Sequence, residues 1–149
     1  AINPFADPFE IRVPRFKLKI DAGADFVQTQ CIYNMDKFKR FMDEARKEGL
    51  HERTKILAGV TPLKSAGMAK FMNRMVAGIE IPEEFIKRIA DEPKEKQAAK
   101  GIEMCIEQIQ EIKEMEGIAG VHVMAIEWEE KLNEIIGGAG LLPRPMVEQ

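Results

Sequence analysis

Short apolar runs alternate with amphipathic stretches along nearly the whole chain, and Gly or Pro marks most junctions. That alternation constrains the fold more than any other feature. A strand that leads into a helix and then into another strand returns in the same direction, so the sheet it builds is parallel. Ala1-Ile2 reads as the tail of a strand ended by Asn3-Pro4. Further strands are expected at 25–30 (DFVQTQ), 54–60 (TKILAGV) and 121–126. Between them lie helical patterns. One runs to Ala22 with Pro14 in its first turn and Gly23 as its stop. Asn34 caps a second, with Phe38, Phe41, Met42 and Ala45 at helical spacing and Gly49 at its end. Ser65 caps a third, carrying Met68, Phe71, Met72 and Met75 as far as Gly78. Pro82 and Pro93 open two more, the second running over about 93–116 with a stripe of Ala98, Ile102, Cys105, Ile109 and Ile112. A last helix is expected over 129–136, broken by Gly137, Gly138 and Gly140.

The count is four βα units with extra helices, the first unit incomplete. A closed eight-stranded barrel takes about 250 residues, so 149 residues supply roughly half. Half a barrel alone leaves two open edges and an uncovered interior. Either the other half comes from elsewhere or the sheet is a small doubly wound one. The abrupt start at Ala-Ile-Asn-Pro-Phe reads as a chain beginning partway through a domain.

Composition excludes several classes. A formal charge of −3 argues against a nucleic-acid partner, which calls for a basic face. No apolar run nears the roughly 20 residues of a membrane span, and no signal peptide is visible. Cys31 and Cys105 lie far apart with no CxxC spacing, which suits reduced thiols of a cytoplasmic protein. His51 and His122 have no metal-ligand spacing, so no metal is expected.

In parallel α/β folds ligands meet the carboxyl ends of strands. Those ends are Asn3-Pro4, Thr29-Gln30, Gly59-Val60-Thr61-Pro62 and Ile126-Glu127-Trp128. Gln30 offers an amide donor and acceptor side by side, the complement of a heteroaromatic ring edge; it equally suits tying down a neighbouring loop. Lys19 either reaches a phosphate or is solvated like Lys17. Phe71 and Trp128 either stack on a flat ligand or pack in the core. His122 alternates with Val121 and Val123, as a core residue or as one facing a barrel interior. No P-loop, GxGxxG or nucleophile motif occurs.

The stretch Lys19-Ile-Asp-Ala-Gly-Ala-Asp-Phe-Val-Gln-Thr-Gln30 resembles the helix-to-strand signature of the flavin-dependent methylenetetrahydrofolate reductases. The resemblance continues through Gly59-Val60-Thr61-Pro62, Ile81-Pro82, Gly120-Val121-His122 and Pro143-Arg144-Pro145, and so covers essentially the whole chain. The segment HVMAIEW, residues 122–128, looks like the acetogen and anaerobe branch. The resemblance implies a (β/α)₈ TIM barrel holding FAD, with residues 1–149 as its C-terminal half and the N-terminal half absent. It implies hydride transfer from NADH, NADPH or another donor through FAD to methylenetetrahydrofolate, giving methyltetrahydrofolate, in a cytoplasmic homo-oligomer. Asn3, Arg15 and Lys19 fall at flavin-contacting positions. Gln30 falls at the glutamine that meets the pterin ring and the nicotinamide, and Phe71 at an aromatic packing on the folate's benzoyl part. Trp128 stands where other members carry an arginine for the folate tail. The family's proton-donating glutamate lies on the first strand and its flavin-tuning aspartate follows the fourth. This chain carries neither, so no catalytic residue is assigned and no turnover is expected of it alone. The other expectation is a non-catalytic half-barrel module that needs a partner chain.

Overall fold

The computed structural model describes residues 1–143. Arg144 and Pro145 of the sequence motif lie outside them. Three strands, β1 (Phe26–Cys31), β2 (Lys55–Val60) and β3 (Ile118–Val123), form one parallel sheet in chain order. Ile2 adds a single parallel bridge to Thr29 on the outer side of β1. Its N–H donates to the Gln28 carbonyl at 2.8 Å, and its carbonyl accepts from Gln30 N–H at 2.9 Å. The four strand positions expected are therefore three strands and one bridge. Spatial order follows chain order throughout, without the reversal that defines a doubly wound sheet. The fold is α/β, and its parallel neighbours follow one another as in part of a TIM-barrel-like wall.

Helices α1 (Arg12–Asp21), α2 (Met35–Lys47), α3 (Leu50–Arg53), α6 (Gln97–Lys113) and α7 (Leu132–Gly138) belong to the main body. Ile56, Ala58 and Val60 of β2 are fully buried in one core with Phe16, Phe38, Phe41, Met42, Ile109 and Ile112. The remaining helices, α4 (Ala66–Met75) and α5 (Glu83–Ala90), make an excursion between β2 and α6. They bury a second core of Leu63, Ala69, Met72, Ile81, Ile86 and Ile89 with Cys31, Tyr33 and Met104.

Local signals act where the sequence places them. Asn34 Oδ1 accepts from Lys37 N–H at 2.9 Å, and Ser65 Oγ accepts from Met68 N–H at 3.1 Å. Each satisfies one amide that a helix start leaves open. Gly59 is required by close approach. A Cβ there would stand 2.5 Å from the Thr29 carbonyl oxygen, because the β1–β2 register shifts between Gln28 and Cys31.

Several boundaries differ from the expectation. Leu50–Arg53 forms an extra turn of helix after Gly49, too short to show a period. Pro93 precedes a 3₁₀ turn, and α6 proper starts at Gln97. β3 begins three residues before Val121 and ends at Val123. α7 runs through Gly137 to Gly138. On α4 the buried residues are Ala66, Ala69 and Met72, whereas Phe71 and Met75 are 61% and 62% exposed. The helix turns Ala66, Ala69 and Met72 into the second core and leaves Phe71 and Met75 on its outer side. No helix among the described residues is long and apolar enough to cross a membrane.

Candidate functional site

Two grooves adjoin at the Ile2 edge of the sheet, and Ala1, Ile2 and Asn3 line both. The first, of about 240 Å³, adds Arg12, Arg15, Phe16 and Lys19. The three basic residues stand at i, i+3 and i+7 on α1, so one helical face presents them together. Arg12 is held by its Nε, which donates to the Pro8 carbonyl at 3.2 Å. Among the described residues no carboxylate lies within ion-pair distance of Arg15 or Lys19. Lys17, by contrast, points elsewhere and pairs with Asp21 at 2.5 Å. A groove with cations and no anion of its own suits a phosphate-bearing ligand.

The second groove, of about 310 Å³, is lined by Asn3, Gln28, Thr29, Gln30, His122 and Met124. It lies on the open face of the sheet, opposite the main helices. Gly59 pairs with His122 in the sheet, and the Met124 side chain comes within 3.0 Å of where a Cβ on Gly59 would stand. The Gln30 amide is engaged at both ends. Its Oε1 accepts from Cys31 N–H at 3.0 Å, and its Nε2 donates to the Ala77 carbonyl at 3.4 Å. The loop-tying reading of Gln30 is thus realised, by a long contact at the mouth of the groove.

The structure brings Asn3, Arg15, Lys19 and Gln30 to one edge. It does not bring Phe71 or Trp128 into either groove. Phe71 lies on the exposed side of α4. Trp128 sits past the end of β3 with the Lys64 ammonium 5.5 Å from its ring centroid. Lys64 also donates to the Glu127 carbonyl at 2.9 Å. Arg12 and Gln28 went unread in the sequence. The signal for Arg12 was its spacing to Arg15 and Lys19, and for Gln28 the two-residue step to Gln30 along a strand.

Among the described residues no nucleophile is poised beneath the site. Tyr33 donates to the Thr61 carbonyl at 2.9 Å, and burial holds its phenol well above the ordinary range. Burial likewise pushes the Cys31 thiol up, against the opposing contact with Thr61. Among the described residues neither groove is lined by a carboxylate. Among the described residues no group of three or more His, Cys, Asp or Glu is placed to hold a metal ion.

The family model for methylenetetrahydrofolate reductase matches residues 1–140. The chain belongs to that family. Methylenetetrahydrofolate reductase 1 of Schizosaccharomyces pombe is 27% identical over 139 residues, covering 91% of this chain and 22% of that protein. A probable methylenetetrahydrofolate reductase (NADPH) of Caenorhabditis elegans is 25% identical over 141 residues, covering 93% of this chain and 21% of that protein. Methylenetetrahydrofolate reductase (NADH) 1 of Arabidopsis thaliana is 26% identical over 142 residues, covering 89% and 22%. The chain therefore spans about a fifth of the length of these relatives.

Proposed function

We propose that this chain forms the flavin- and folate-binding wall of a methylenetetrahydrofolate reductase, supplied as the C-terminal half of a (β/α)₈ barrel. One observation carries the reading: Asn3 is common to a cationic groove and to an amide-lined one. Arg15 and Lys19 would hold the FAD pyrophosphate, with Asn3 toward the ring system. Their chemistry fits, since two cations with no carboxylate partner among the described residues favour an anion. FAD supplies the acceptance and return of hydride when bound. Gln30, held by the Ala77 carbonyl, would orient the pterin edge of methylenetetrahydrofolate with its second Nε2–H and the remaining lone pair of Oε1. Phe71 and Trp128 would meet the folate beyond the pterin, Trp128 together with Lys64. The donor would be NADH, NADPH or another reductant; relatives carry NADH in one name and NADPH in another. A cytoplasmic homo-oligomer completes this proposal.

Opening the methylene carrier to an electrophile calls for a proton donor. With no carboxylate lining either groove among the described residues, that proton would come from outside these walls. The same fact, with the outer edge of β3 unpaired among the described residues, favours a second reading: a non-catalytic half-barrel module that assembles with a partner chain. Turnover by the chain alone would remove the second reading.

The test of the first is flavin affinity. Arg15→Ala and Lys19→Ala should each weaken FAD binding about tenfold, the worth of one charge-assisted hydrogen bond, as read by flavin fluorescence titration. Affinity unchanged in both variants would sink the flavin assignment.

A further inference from the structure

Asn3 forms the shared wall of the two grooves, and its side chain is fixed from two sides. Its Oδ1 accepts from Phe5 N–H at 2.9 Å. Its Nδ2 lies over the bare Cα of Gly78, where a Cβ would stand 1.9 Å from Nδ2 and 3.1 Å from Cγ. The three atoms nearest that position all belong to the Asn3 side chain. Gly78 has φ +80, a left-handed conformation that glycine adopts without strain. The preceding carbonyl, of Ala77, receives the Gln30 amide. Two adjacent residues of one loop therefore touch the chosen residue of each groove.

That loop has little freedom to withdraw. Ile79 N–H closes a turn onto the Val76 carbonyl at 3.3 Å. Glu80 is gripped by Asn34 Nδ2 at 2.6 Å and Lys37 Nζ at 2.8 Å. Ile81 N–H donates to Asn73 Oδ1 at 2.8 Å. Gly78 thus sits on an anchored strap, and a side chain added there must displace Asn3 because the strap is tied down on both sides.

We propose that Gly78 is a positioning residue: its missing side chain lets the strap set Asn3 in the wall between the grooves while the Ala77 carbonyl sets Gln30. This rests on the flavin and folate reading of those grooves. A side chain at Gly78 acts on the ligand only through Asn3, so the two positions are energetically coupled.

The experiment has two arms. In the ligand-free protein, the side-chain amide resonance of Asn3, assigned by its loss in Asn3→Ala, should shift in Gly78→Ala and in Gly78→Asn. Asparagine tolerates the left-handed turn, so a shift in both reports the added Cβ and not strain. In the second arm, FAD affinity should fall about tenfold in Asn3→Ala and in Gly78→Ala, and the double variant should be no weaker than either. An unmoved Asn3 amide, additive losses in the double variant, or an Asn3→Ala protein that binds FAD normally while Arg15→Ala does not, would each overturn the proposal. Unchanged affinity in Arg15→Ala and Lys19→Ala would fell the flavin reading instead; the resonance arm would still judge Gly78.

Discussion

The two faces of the sheet are built to opposite specifications. On the helix side Val27, Ile56, Ala58 and Val60 are buried, with Ile56, Ala58 and Val60 wholly inaccessible. On the other side Gln28, Gln30, Leu57, Gly120 and His122 are only partly buried. A strand sends successive side chains to opposite faces, so this difference is written residue by residue into β1 and β2. The chain's own helices saturate one face, and the hydrophobic effect acting there accounts for its stability. The other face is polar, glycine-containing and open, and is left for a ligand or for further chain.

The sharpest way to break this contrast is to remove an aromatic from the helix side. Phe38 is fully buried, with ring centroids 6.4 Å from Phe5 and 6.5 Å from Phe41. Phe38→Ala should cost about 3–5 kcal/mol of unfolding free energy by urea titration. A loss under about 1 kcal/mol would mean that this core is loose. A smaller effect follows from Cys105 on α6, whose thiol burial pushes up from 9.0 to about 12. The folded state keeps its proton where the unfolded chain has lost it. Stability should therefore be whole below about pH 9 and fall as pH rises toward 12, and Cys105→Ala should flatten that fall. Burial raises the Cys31 thiol in the same sense, so part of the slope should remain. The smallest effect belongs to the open face: His122→Ala should change unfolding free energy by about 0.5 kcal/mol or less. A large loss there would show that the open face carries stability after all.

Most of the helix and strand pattern was legible because its causes are local. Asn34 and Ser65 cap helices through amides three residues ahead, and of the stripe expected on α6, Ile102, Cys105, Ile109 and Ile112 are buried while Ala98, in its first turn, is half-buried. Legibility failed on α4. Met68, Phe71, Met72 and Met75 carry a helical period, yet the buried side follows Ala66, Ala69 and Met72. The choice between two apolar sides depends on how closely the neighbouring segments pass, which no window of sequence contains. Of the candidate site, Gln30 and Lys19 were legible from their own chemistry and position, Asn3 and Arg15 as flavin contacts only from a resemblance, and the grooves that unite them were not readable. Arg12, Gln28 and the strap at Gly78 entered only with the structure.

The order of residues alone determined that strands and helices alternate, that the sheet is parallel, and where caps and glycine stops fall, since hydrophobic period and capping act within a few residues. Tertiary structure decided what Gln30 grips 47 positions away, why Gly59 and Gly78 have no room for a side chain, and which sheet face stays open. Those outcomes depend on distances between remote backbones, and they exist only once the helices have packed on one side of the sheet.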